Sequence, residues 1–222
     1  METNAREAIL DRLKSAHPAS VPPRPSLPPA RELALDAGEC VARFQEQLAA
    51  QGGVAFQMAD EAALLARLEE ILRQEAVTRA MAAEDAVLAP LDLSPWGNRV
   101  GVEIVSPAAF NDRDGYTRAV FDQVQAGITG ADYAVAESGT LVLVHDARQP
   151  RLISLAPLVH IAVVPLARVV PTYEAAIASL FDGGRRPSQV TLITGPSMTA
   201  DIQATPFRGM HGPQKLYVLL LG

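Results

Sequence analysis

The chain has 222 residues, of which 49% are hydrophobic and 20% charged, with a formal net charge of −6 and a single cysteine. A chain of this length buries roughly 70–75% of its unfolded surface and needs no disulfide or metal staple. The lone Cys40 excludes an internal disulfide and a cysteine-ligated iron–sulfur cluster within the chain.

The acidity is concentrated in residues 31–100, which carry six Arg or Lys against twelve acids, while residues 101–222 are nearly balanced at nine against ten. No basic stripe of the kind nucleic-acid binding requires is built. The opening residues Met1–Glu7 are polar, with no secretory h-region. The longest apolar stretches, near Leu155–Pro165 and Tyr217–Leu221, fall far short of the ~20 residues that span a bilayer. These features predict a soluble, cytoplasmic protein with neither nucleic-acid nor membrane partners.

In chain order, residues 3–16 read as a short helix with Ile9, Leu10 and Leu13 on one side. Six prolines over residues 18–29 permit neither helix nor central strand and predict an extended linker. Residues 1–30 are therefore an arm and linker, and residues 31–222 the main domain. Ala37, Val41, Phe44 and Leu48 recur at helical spacing up to Gly52-Gly53. Val54–Met58 reads as a strand, and Leu64, Leu65, Leu68, Ile71 and Leu72 as the face of a second helix. Strands are expected over residues 76–79 and Val102–Val105, with a loop over residues 91–99, where Pro95, Trp96 and Gly97 follow closely on Pro90.

A helix carrying Tyr116, Val120, Phe121 and Val124 leads into a brief strand over 126–129. Tyr133–Ala136 and Thr140–His145 predict a hairpin turning at Gly139. Val159–Pro165, Gln189–Thr194 and Leu216–Leu221 read as further strands, and Tyr173, Ala176, Ile177, Leu180 and Phe181 mark a helix ended by Asp182-Gly183-Gly184. Strand–helix alternation with one hairpin gives an α/β fold with a mostly parallel sheet.

Polar punctuation in this apolar pattern marks the candidate site at the rim of the sheet. Thr194-Gly195-Pro196-Ser197-Met198-Thr199-Ala200-Asp201 follows a strand directly. Gly195 permits a sharp turn, while Ser197 or Thr199 suits either a capped helix start, with Asp201 favouring the dipole, or the binding of a carboxylate or phosphate. Glu137 sits in the hairpin turn, where it is either solvated or, if partly desolvated, a nucleophile or general base. Gly139 beside it would let a substrate approach the backbone.

The four histidines, His17, His145, His160 and His211, show no metal-ligand spacing. His160 interrupts an apolar strand as a core histidine would. His211, in a Gly/Pro loop, is better placed to act as general acid or anion partner. Neither a dinucleotide fingerprint nor a Walker-type loop is present.

Ile128-Thr129-Gly130-Ala131-Asp132-Tyr133-Ala134-Val135-Ala136-Glu137-Ser138-Gly139-Thr140 resembles the signature of the lactate-utilisation (LUD) domain family, in its short, LutC-like branch. The stretches from Thr194 to Ile202 and from Gly209 to Pro213 are similar to that family's two C-terminal motifs, in the same order. The likeness is specific over residues 101–221. Met198 departs from it, standing where the family pattern has Arg, so that a carboxylate held there would need another cation such as Arg208.

The resemblance implies a three-layer α/β/α sandwich of the NagB/RpiA/CoA-transferase type. It also implies a part in oxidising L-lactate to pyruvate alongside partners that carry iron–sulfur clusters, with no cofactor and no metal in this chain. Thr129, Ser138, Gly139, Thr140, Gly195, Ser197, Thr199, Asp201 and Arg208 are then expected to line one cleft for a small anion or a partner segment, with Glu137 and His211 as its reactive groups. Glu137-Ser138-Gly139 is also similar to the Glu-x-Gly turn in which class I CoA transferases form an acyl-CoA thioester. An independent enzyme of that chemistry is the alternative.

Overall fold

The computed structural model describes residues 5–16, 33–184, 186–200, 206–208 and 212–222. The chain divides into two units, Met1–Ala30 and Arg31–Gly222. In the first, α1 (Ala5–Ser15) is closed by the Ser15 hydroxyl, shared between the Asp11 and Arg12 carbonyls at 2.8 and 3.0 Å. The proline-rich stretch 18–29 lies outside the described residues.

In the second unit, short polar side chains start four of the described α-helices. Before α2 (Ala37–Ala50), Asp36 accepts from the Glu39 amide while the Glu39 carboxylate accepts from the Asp36 amide, both at 2.8 Å, which satisfies two otherwise orphaned donors. After β1 (Val54–Met58), Asp60 caps α3 (Glu61–Gln74) by accepting from the Ala63 amide. Ala76, at φ 51°, turns the chain out of α3, so β2 runs Arg79–Ala82 and not over the expected 76–79.

The loop expected over 91–99 is instead largely a helix, α4 (Leu93–Val100). Pro95 lies in its first turn, where a backbone N–H has no partner to lose, and the buried Trp96 and Gly97 pack the helix down. Next come β3 (Glu103–Val105), α5 (Arg113–Arg118) with a π turn over Ala119–Gln123, and β4 (Ala126–Gly130).

The expected hairpin is β5 (Tyr133–Val135) and β6 (Thr140–Val144), with Val135 opposite Thr140. The chain continues through α6 (Leu152–Leu155), β7 (Val159–Pro165), β8 (Val169–Val170), α7 (Tyr173–Phe181) and β9 (Val190–Ile193). A short hairpin of β10 (Met198–Ala200) and β11 (Pro206–Arg208) precedes the last strand, β12 (Lys215–Leu221).

Six strands form a parallel sheet in the order β1-β12-β7-β4-β2-β3. Strand alternation divides its side chains between two cores. Val159, Ile161 and Val163 of β7 join Leu64, Leu68, Leu72 and Trp96 of α3 and α4 on one face. Ala162 and Val164 of β7, with Leu216, Val218 and Leu220 of β12, meet Phe44 and Leu48 of α2 on the other.

The covering layer on that second face also holds Leu141 and Leu143 of a four-stranded sheet, β8-β5-β6-β9. On its far side, Val135 and Val142 pack against Ala176 and Leu180 of α7. The hairpin therefore founds a second sheet rather than adding to the first. Each fully buried Leu or Phe contributes about 1.5–3 kcal/mol, so these layers hold the loops described next in fixed register.

Candidate functional site

Two of the three polar motifs meet around one cavity. The Ser197 amide donates to the Pro213 carbonyl at 2.7 Å, and a Cβ on Gly212 would lie 3.0 Å from the Ser197 side chain. Between these loops is a cavity of about 420 Å³, lined among others by Ser154, His160, Thr191, Thr194, Ser197 and Gly212. Gly195 lines it too, at the carboxyl end of β9. In the parallel sheet, however, the cavity sits at the amino ends of β7 and β12, where His160 and Leu216 are register partners.

Two buried histidines lie behind this cavity. Thr129 and His160, both fully buried, share a 2.8 Å hydrogen bond through His160 Nε2, while His160 Nδ1 has no partner. Burial, and secondarily His145, push His160 down to about 3, so its ring is neutral at physiological pH. His145 Nδ1 donates to the Gln149 carbonyl at 3.1 Å, which leaves Nε2 to accept from the Thr191 hydroxyl at 2.8 Å. Burial lowers the His145 pKa as well, against the raising effect of the Gln149 bond and Asp132. The cavity thus presents hydroxyls and a neutral imidazole.

The first motif is tied to the second through a branched hydroxyl chain. The Thr140 hydroxyl bonds to Ser138, Tyr173 and Thr194 at 2.8, 2.7 and 2.9 Å, the full capacity of one hydroxyl. Glu137 faces elsewhere: its carboxylate accepts from the Tyr173 amide at 2.9 Å, at the first turn of α7. Gly139, at φ 67°, packs so closely on α2 that a Cβ would lie 2.3 Å from the Leu48 nitrogen. The space expected to admit a substrate over Gly139 is filled by the α2 backbone.

The family described as LUD domain matches residues 41–221. The chain belongs to the LUD domain family. Over 149 residues this LUD domain is 31% identical to Lactate utilization protein C of Deinococcus radiodurans, covering 66% of this chain and 68% of that one. It is 41% identical over 100 residues to Lactate utilization protein C of Macrococcus caseolyticus, covering 43% of each. An uncharacterized protein of Neisseria meningitidis is 36% identical over 120 residues, covering 53% of this chain and 51% of that one. Across the three, the chain spans from under half to about two thirds of the relative's length. In structure it is similar to a DUF162 family protein from Deinococcus radiodurans, with a TM-score of 0.60 and 24% identity over 85% of this chain and 99% of that one, which shows the fold.

Among the described residues no helix starts after Gly195; the backbone of Met198–Ala200 forms β10 instead. Gly195 at φ 141° and the Ser197–Pro213 bond direct the chain into a hairpin. In that hairpin Met198 and Arg208 are cross-strand partners and Thr199 pairs with Phe207. Asp201 and His211 lie outside the described residues.

Sequence reasoning placed His160 in the core but missed its bare ring nitrogen, and it missed Ser154 and Thr191 altogether. A histidine within Val159–Pro165 was the available signal. Cys40 is buried, and its thiol is pushed up by that burial and by Asp36 and Glu39, which makes it a poor nucleophile. Among the described residues no group of three or more His, Cys, Asp or Glu is arranged to hold a metal, and no helix is long and apolar enough to cross a membrane.

Proposed function

We propose that this LUD domain protein is a non-redox subunit or accessory protein of an L-lactate-oxidising system, and that the cavity between the Gly195 and Gly212 loops receives a small carboxylate. The place in lactate utilisation rests on the relatives that bear that name. The ligand role rests on one observation: two separate motifs close around a cavity into whose wall His160 is built with an unsatisfied nitrogen. Hydroxyls and a neutral imidazole suit a hydroxy acid, whose carboxylate oxygens accept from O–H groups and whose hydroxyl donates to a ring nitrogen.

Electron transfer is assigned to iron–sulfur partners, since one buried cysteine cannot ligate a cluster. The alternative, CoA-transferase-like chemistry at Glu137, would have to release its carboxylate from the Tyr173 amide and displace α2 from above Gly139.

The test is a tagged pull-down from the native host grown on lactate, with a visible absorption spectrum of the eluate. The expected result is a brown eluate containing iron–sulfur proteins, and a colourless protein when purified alone. A colourless eluate without partners overturns the subunit reading and moves the search to Glu137.

A further inference from the structure

A second site lies at the opposite end of the parallel sheet. From β2 the chain passes through α4 outward to β3, whereas from β4 it passes the other way, to β7. Loops leaving neighbouring strands in opposite directions open a crevice at their carboxyl ends, where α/β sheets bind ligands. Here that crevice is a cavity of about 320 Å³, to which the segment after β2 contributes Glu84 and Asp85, the end of β4 and the turn after it Gly130 to Asp132, and later loops Arg148, Gln149 and Arg168. Glu84 also lines an adjoining cavity of about 710 Å³, so there is room for more than a lone ion.

The walls are pinned in place. Asp85 accepts from the amides of Val87, Leu88 and Gly130 at 2.7, 3.2 and 2.8 Å, and a Cβ on Gly130 would fall 2.3 Å from its Oδ1. Asp132 accepts from the Val144 amide, and Asp146 from those of Arg148 and Gln149. The Glu84 amide donates to the Arg148 carbonyl at 2.9 Å. Three of the four acidic groups are thus engaged by backbone N–H donors, whose dipoles offset their charge.

The cationic groups are in the reverse condition. Arg168 makes one long bond, Nη1 to the Ala131 carbonyl at 3.5 Å, and Arg148 makes no side-chain bond among the described residues. Gln149, only 4% exposed, donates from Nε2 to the Val144 carbonyl at 3.1 Å, which fixes the orientation of its amide and leaves Oε1 buried without a donor. Buried acceptors in native proteins are seldom left so.

We infer that this crevice binds a small hydroxylated anion, a hydroxy carboxylate or a hydroxylated phosphate ester. Its anionic group pairs with Arg148 and Arg168, and one hydroxyl donates to Gln149 Oε1. Two guanidiniums that line the same cavity with donors to spare suit carboxylate and phosphate oxygens alike, and the unmet acceptor selects for an adjacent hydroxyl.

Calorimetric titration of the full chain separates the possibilities, with L-lactate, citrate, ribose 5-phosphate, propionate and inorganic phosphate as probes. A hydroxylated probe is expected to bind more tightly than its counterpart lacking the hydroxyl, with citrate or lactate marking a carboxylate site and ribose 5-phosphate a phosphate site. Arg148→Gln and Arg168→Gln, each checked for an unchanged circular dichroism spectrum, are expected to weaken binding about 10–100-fold. Gln149→Met should abolish the preference for the hydroxylated probe, and Arg43→Gln, at an exposed arginine of α2 that lines neither cavity, should leave binding unchanged. If none of the five probes binds at millimolar concentration, if the Arg148 and Arg168 variants bind as the parent does, or if Arg43→Gln weakens binding as much as they do, the assignment is wrong. None of these readouts depends on partner capture, so this site and the subunit role fail separately.

Discussion

His160 makes this fold sensitive to acid. Its ring is neutral when folded, pushed down to about 3 by burial, against about 6.5 when unfolded. Between those values the unfolded chain holds a proton that the folded chain does not. Stability is therefore complete above the unfolded value and falls as pH drops toward the folded one, by up to about 1.4 kcal/mol per pH unit for each such histidine. His145 is shifted the same way and adds to the slope. His160→Asn, compared with the parent by urea denaturation at neutral pH and at about pH 4.5, is expected to lose distinctly less stability on acidification. Parallel losses would show that other groups carry the acid sensitivity. That His160 belongs to the core was legible from the apolar strand around it. Its single partner was not, because Thr129 lies 31 residues away on a neighbouring strand and the pairing is set by sheet register.

The turn between β5 and β6 shows how an element can be legible while its role is not. Alternating apolar residues and Gly139 announced the hairpin, but nothing local in sequence showed that Glu137 would meet α7 or that Gly139 would touch α2. The helix α4 was missed for the opposite reason: Pro95 and Gly97 read as breakers, yet one stands in the first turn and the other is needed where a Cβ would lie 2.6 Å from the Val102 carbonyl. The turn's energetics can be separated by two substitutions. Glu137→Gln keeps the acceptor for the Tyr173 amide and removes only the charge at the α7 terminus, an expected cost of about 0.5–1 kcal/mol. Thr140→Val leaves three hydroxyls short of a partner and should cost more, about 1–3 kcal/mol, since only the more exposed of them, such as Thr194, can turn to water. Urea midpoints of the two variants give the order directly. A Glu137→Gln protein of unchanged stability would show that the charge does nothing for α7, leaving the anchor to the neutral acceptor alone.

At the scale of the molecule, strand–helix alternation announced a parallel sheet, but strand order depends on long-range pairing that no local pattern encodes. The last strand, β12, inserts between β1 and β7, and the switch in direction between β2 and β4 follows only once that order is known. The same architecture bears on the N-terminal arm. Every buried hydrophobic residue described lies between Cys40 and Leu220, and the three hydrophobic clusters are built wholly within that span. The second unit therefore has a complete core of its own, closed by the Asp36–Glu39 cap at its start and by the parallel pairing of β12 at its end. Deleting residues 1–29 removes no described member of that core and no strand of either large sheet. For a domain of this size a change of 1 kcal/mol moves the melting temperature by only about 2–4 °C. The truncated chain is expected to melt within that interval of the full chain, with its near-ultraviolet spectrum intact. A fall several times larger would mean that the arm contributes to folding of the LUD domain, and that the domain begins before residue 31.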